Sequence, residues 1–222
     1  MKMMETKSPL PYPIYSRAER VADGVVHALG ITGSIVATAL LLSLVASQLG
    51  AGTLAALIVY SAALIVMLTA SGVYHFGAYT RFRPILRRID HAAIYVKIAG
   101  TFTPLAVMLG TGFGYAILAF VWAVALVGAV RKLMAKRGKM PTGWLPYVAL
   151  GWIGVMLLFP LTYIAPTPAL MLIATGGLTY TAGVLFFRWE SLPYANAIWH
   201  AFVLVASGCF FAAIATSVVA LA

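Results

Sequence analysis

The chain has 222 residues, of which 63% are hydrophobic and 9% charged, with a mean hydropathy of +0.98. Soluble domains hold about 45–50% apolar and about 25% charged residues, so this balance excludes a water-soluble globular body and, equally, a disordered chain. A single cysteine excludes a disulfide framework, and a formal charge of +10 in so apolar a chain points to basic loops at one membrane face, not to a nucleic-acid partner.

A membrane-spanning helix takes about 20 apolar residues. Seven stretches reach that length: 21–47, 54–75, 89–109, 114–132, 143–163, 168–187 and 196–220. Tight turns separate the first pair (48–53) and the third pair (110–113), and longer basic connections run over 76–88 and 133–142. Pro166-Thr167-Pro168 divides spans five and six, and Glu190-Ser191-Leu192-Pro193 divides six and seven. The runs are continuously apolar and too long for the alternating segments of about 10 residues that a β-barrel needs. The expected fold is all-α: one seven-transmembrane helical bundle over 21–222, preceded by a polar tail over 1–20 that lacks a cleavable signal pattern. Gly100 and Pro104 in span three predict a kink or close packing, and Gly176, Gly177 and Gly183 in span six predict close helix contact.

Alternating the connections between two sides puts every Lys and Arg but one on the side of the N-terminus. The exception is Lys97, inside span three. The positive-inside rule then sets the N-terminus in the cytoplasm and the C-terminus outside, in a multi-pass membrane protein whose partners are membrane lipids.

Ionisable groups inside a span are costly and mark function. Here they are Asp23, His27, His75, Asp90, His91, Lys97 and His200, with Glu19 just ahead of span one. With the expected topology, all four histidines and both acids fall in one slab near the inner leaflet. Glu19, Asp23 and His27 recur every four residues and share a helix face, and Ser71/His75 and Asn196/His200 are pairs of the same spacing. Histidine, carboxylate and asparagine converging at shallow depth are the parts of a zinc site with ordered outer partners. His91 directly follows Asp90, so it is expected to point about 100° away and to be structural.

These motifs resemble the bacterial haemolysin III family of the progestin and adipoQ receptor superfamily. The resemblance rests on Glu19…Asp23-x-x-x-His27, Ser71-x-x-x-His75, Asp90-His91-Ala-Ala-Ile-Tyr95, Ala99-Gly100-Thr101-Phe102-Thr103-Pro104 and Ala197-Ile198-Trp199-His200-x-Phe202-Val203, in that order. It implies seven helices and a zinc ion near the inner leaflet. His75 and His200 would be ligands, Asp90 the partner of the metal-bound water, and Ser71 an outer partner. It also implies lipid-amide hydrolysis of the ceramidase type, in a branch named for cell lysis.

The sequence departs from that pattern at four places. Asn196 stands where the resemblance implies the first histidine of the span-seven pair, and Asp23 where it implies asparagine. Phe210 replaces a frequent histidine, and Lys97 an apolar residue. Asparagine is a poor zinc ligand, so Asn196, Asp23 or Asp90 would have to complete the coordination beside two imidazoles. Lys97 lies seven residues beyond Asp90, on the same face and about 10 Å deeper. It either bends back to pair with Asp90, replacing part of the metal's charge, or snorkels to water. The functions left standing are a zinc-dependent lipid-amide hydrolase at the cytoplasmic leaflet and a non-enzymatic lytic or lipid-homeostasis protein. A retinal protein would carry its lysine in the last span, and a transporter would show broken helices in matching halves.

Overall fold

The computed structural model describes residues 15–136, 143–189 and 191–222. Most of the expected tail, residues 1–14, lies outside them, and so do 137–142 of the second basic connection. Among the described residues every regular element is a helix. The helices are α1 (Arg17–Val45), α2 (Ala51–Phe76), α3 (Arg83–Leu109), α4 (Gly112–Leu133), α5 (Leu145–Trp152), α6 (Val155–Leu161), α7 (Thr167–Arg188) and α8 (Ala195–Val219).

Six of these are long and apolar enough to cross a membrane: α1, α2, α3, α4, α7 and α8. The stretch expected as span five, 143–163, instead forms the two short helices α5 and α6. Their junction is closed by tighter bonds, from the Gly154 amide to the Gly151 carbonyl and from Leu157 to Gly154, each 3.0 Å. Gly151 and Gly154 weaken the helix there, and Pro160 removes a further donor. A side chain on Gly154 would also sit 3.4 Å from the Phe102 ring.

Helix α3 begins at Arg83, six residues ahead of the expected start at 89, because Pro84 near its first position is pre-set for a helix and costs it no bond. It ends at Gly110, whose φ of 64° caps the helix in the left-handed region that glycine adopts freely. The Thr111 hydroxyl then accepts from the Gly114 amide at 3.1 Å and starts α4.

Helix α3 is the spine of the bundle. It packs against α2 on one side and α4 on the other, and touches α5, α6 and α8. Of its apolar stretch, 61% is buried, against 22% for α1, α4 and α7. The outer helices turn Leu44, Phe159, Leu185 and other large apolar side chains outward. An exposed apolar surface of that extent is a lipid-facing surface.

Small residues let the helices approach. A Cβ on Gly100 would meet Ala63 of α2 at 2.6 Å, one on Gly128 would meet the Tyr95 ring at 2.5 Å, and one on Gly183 would meet the Phe202 Cβ at 2.8 Å. Gly176 faces Phe210 in the same way, but Gly177 faces open space, so the expected close contact does not form there. Gly183→Ala is therefore expected to destabilise the protein by about 1–3 kcal/mol through overpacking. Gly177→Ala should be neutral or stabilising by about 0.5–1 kcal/mol, because a free helical position gains from alanine. Thermal unfolding in detergent separates the two; equal losses would show that α7 and α8 do not meet at Gly183.

Candidate metal centre

The capping of α1 sets the height of the centre. Ser16 and Glu19 form a reciprocal capping box: the Ser16 amide donates to Glu19 Oε2 at 2.8 Å, and the Glu19 amide donates to the Ser16 hydroxyl at 3.2 Å. The other Glu19 oxygen accepts from the Tyr194 amide at 3.1 Å. Tyr194 caps α8 in the left-handed region at φ 62°, a conformation costly for a residue with a Cβ. Glu19 thus ties the first turn of α1 to the first turn of α8. It lies at the exposed rim and does not enter the cluster.

One turn further along α1 lies Asp23, and one turn beyond that His27, both buried. They meet His75 from the last turn of α2 and His200 from α8. The imidazole centroids are 4.3 Å apart for His27 and His200, 4.4 Å for His75 and His200, and 5.1 Å for His27 and His75. One ligand atom from each lies within 4.8 Å of those of the other two. Three imidazoles from three helices therefore converge, and His27 joins the histidines of α2 and α8. Asn196 is half-buried one turn ahead of His200.

Asp23 stands behind this cluster. The His200 Nδ1–H donates to Asp23 Oδ1 at 2.6 Å, and His75 Nδ1 lies 2.8 Å from Oδ2. The His27 Nδ1–H donates to the Asp23 backbone carbonyl at 2.9 Å. With all three Nδ1 atoms engaged by one residue, Nε2 is the nitrogen each ring would offer a metal, and on His27 the Ser71 hydroxyl would have to give it up. A histidine held through its other nitrogen is the usual support for a metal ligand. The Ser71 hydroxyl donates to His27 Nε2 at 3.2 Å, so the serine of the Ser71/His75 pair serves the imidazole of α1.

Asp90 is buried on α3. His91 turns back against the direction its position suggests, bringing Nδ1 to 3.2 Å from Asp90 Oδ2. The flexibility of two χ angles outweighs the 100° step between neighbours. The Tyr147 hydroxyl of α5 donates to the His91 carbonyl at 3.2 Å and braces this turn. On the side towards the membrane centre, His27, Ser71 and His200 border a cavity completed by the apolar Met67, Leu68, Val203 and Leu204.

Lys97 does not reach back to Asp90. Its Nζ donates to the Tyr180 hydroxyl of α7 at 2.7 Å, and that hydroxyl bonds Ser207 of α8 at 2.6 Å. The ammonium also lies 4.3 Å from the Tyr180 ring centroid and 5.2 Å from that of Phe210. Two ring faces and a hydroxyl at its own depth offset the loss of water without the long bend to Asp90. The lysine is therefore a deep tie between α3, α7 and α8.

Removing the acceptor should hurt more than removing the charge. Tyr180→Phe is expected to cost about 1–3 kcal/mol by leaving a buried ammonium short of a partner. Lys97→Met should cost less, and the double variant should be no worse than Lys97→Met alone. Additive losses in detergent unfolding would count against the tie.

The sequence of residues 15–211 matches the model of the family described as Haemolysin-III related. The chain is 30% identical over 200 residues to a "Hemolysin-3 homolog" of Bacillus subtilis (strain 168), covering 89% of this chain and 93% of that protein. It is 31% identical over 194 residues to "Hemolysin-3" of Bacillus cereus, covering 87% and 89%. It is also 26% identical over 165 residues to "Monocyte to macrophage differentiation factor" of Homo sapiens, covering 70% and 67%. With its membrane-spanning helices and a family match over nearly its whole length, the chain is a multi-pass integral membrane protein that belongs to the Haemolysin-III related family.

Proposed function

We propose that this chain is a metal-dependent hydrolase of a lipid amide, with its reaction centre at the cytoplasmic end of the bundle. The observation that carries this reading is the convergence of His27, His75 and His200 with Asp23 on their Nδ1 sides. Three neutral nitrogen donors suit zinc and leave a fourth position open, the pattern of catalytic sites. In such a site zinc polarises a carbonyl and supplies hydroxide near neutral pH.

The chain's own residues have separable tasks. Asp23 holds the rings of His75 and His200 in the tautomer that presents Nε2. Ser71 holds His27 Nε2 in the metal-free arrangement and would have to turn its hydroxyl away for that nitrogen to take a metal. Asp90, the carboxylate not engaged by these three rings, accepts the proton of the attacking water and passes it to the departing amine. Beside these rings the cavity has a polar wall of His27, Ser71 and His200 and an apolar wall of Leu68, Val203 and Leu204, with room for about one water molecule.

Two relatives carry the printed name hemolysin, which makes lysis without catalysis the reading to test against. Elemental analysis of purified protein should find zinc, and His27→Ala, His75→Ala and His200→Ala should each lose it. Asn196→Ala should keep it. Asp23→Asn should weaken retention by about 10–100-fold. Asp90→Asn should keep the metal but lower turnover of a ceramide-like amide by about 10²–10⁴-fold. Chelator-insensitive lysis with no amide turnover would decide for the non-enzymatic reading.

A further inference from the structure

Several hydroxyls inside this bundle serve their own helix. Ser34 donates to the Ile31 carbonyl at 2.9 Å, Thr101 to that of Lys97 at 2.9 Å, Thr103 to that of Ala99 at 3.0 Å and Ser217 to that of Ala213 at 2.8 Å. A serine or threonine within a helix has such an acceptor in reach three or four residues back. Ser71 does otherwise. It is buried on α2, and its hydroxyl crosses to α1, where it meets His27 Nε2 at 3.2 Å. The carbonyl of Met67, four residues back on its own helix, is the alternative it leaves.

The bond singles out one imidazole of three. The Nδ1–H of His27 goes to the Asp23 carbonyl, so Nε2 carries a lone pair, and the Ser71 hydroxyl donates into it. His75 and His200 are engaged at Nδ1 by the Asp23 carboxylate; neither makes a hydrogen bond through Nε2 among the described residues. A metal ion takes the same lone pair that a hydroxyl proton takes, so the two cannot share His27 Nε2. The place is also secluded, because His27 and Ser71 are buried and the cavity beside them has room for about one water molecule. Bulk water is poorly placed to relieve either partner, and a buried donor or acceptor left alone is costly.

We infer that Ser71 is an internal competitor for the metal. Its hydroxyl has two resting places, His27 Nε2 and a carbonyl of α2, and only the second leaves His27 free to coordinate. This rests on the metal-dependent reading and adds its regulation. The ion is held against a bond that the chain makes by itself, so the centre is exchangeable and its occupancy follows the zinc concentration around it. The two places differ by a rotation about χ1 of one small side chain, so the change needs no movement of a helix. Loss of the hydroxyl then has a sign that a supporting role does not share. A serine that oriented a ligand would weaken metal binding when removed; a competing serine strengthens it.

The test uses the full chain in detergent, stripped of metal and titrated with zinc against a chelator of known affinity. Ser71→Ala should bind zinc about 2–10-fold more tightly than the unaltered chain, the effect of one neutral hydrogen bond. Stripped of metal, the same variant should melt about 2–4 °C lower, because His27 Nε2 has lost its donor. Ser34→Ala removes a hydroxyl that serves its own helix and should leave zinc affinity unchanged. Unchanged or weaker zinc binding in Ser71→Ala would overturn the competition and leave the metal-dependent reading standing. Zinc binding by neither chain would sink that reading and the competition with it. Imidazole nitrogen NMR spectra of the unaltered chain decide the matter even if Ser71→Ala fails to fold. His27 Nε2 should accept a hydrogen bond in the stripped chain and lose it as zinc is added; a zinc-loaded chain that kept the bond would overturn the inference.

Discussion

The Asp23 carboxylate is the group on which the candidate site depends. It sits inside the bundle, where a charge costs several kcal/mol unless partners offset it. Its two oxygens reach His75 on α2 and His200 on α8, while its backbone carbonyl takes the Nδ1–H of His27 on its own helix. One residue therefore joins three helices and sets the facing of three rings. The helices that flank α1 are those two, α2 and α8, so the polar tie coincides with the packing that buries it. A buried carboxylate with its hydrogen bonds made is tolerable; the same group with one ring missing is left short of a partner in a medium that cannot replace it.

The rest of the architecture follows from lipid on the outside and a polar face within. Lipid accepts any apolar side chain, so the outer faces of α1, α4 and α7 carry little information. The inner faces of α3 and α8 are different. On α3, Asp90 and Lys97 are seven residues apart, and on α8 His200 and Ser207 share that spacing. Two polar levels result. The shallow level gathers the histidines and acids. The deeper one gathers Lys97, Tyr180 and Ser207 across α3, α7 and α8. A helix turn of 3.6 residues makes the seven-residue repeat return to nearly the same face, so α3 and α8 serve both levels, joined by α1 and α2 at the shallow one and by α7 at the deeper one.

That periodicity explains what the sequence disclosed. Hydropathy located six long helices, and the i, i+4 pairs at Asp23/His27 and Ser71/His75 showed that their side chains share a face. The clustering of His27, His75 and His200 at one end was legible from span order alone. What was hidden depends on side-chain reach and on neighbours far away in the chain. The direction of Lys97 was decided by Tyr180 and Phe210, 83 residues and more away. His91 turned towards Asp90 because a side chain can swing where a backbone step cannot. The interruption of 143–163 was written in Gly151, Gly154 and Pro160, but mean hydropathy averages such residues away. Glu19 shares a face with Asp23 and His27, yet it lies beyond the buried zone and caps helices.

Two departures from the family pattern are linked through this geometry. The resemblance implies asparagine at position 23 and a histidine at position 196; this chain has Asp23 and Asn196. An asparagine side chain has a single acceptor oxygen, whereas a carboxylate has two. Only the carboxylate can take His75 on one oxygen and His200 on the other, as observed at 2.8 and 2.6 Å. Each ring so held is engaged at Nδ1, and the negative charge behind both would raise their strength as donors to a cation. His27 brings a third imidazole from α1, so three imidazoles converge without a histidine at position 196. The residues at 23 and 196 thus go together: the three imidazoles come one each from α1, α2 and α8, and the carboxylate at 23 bonds the two that lie on other helices.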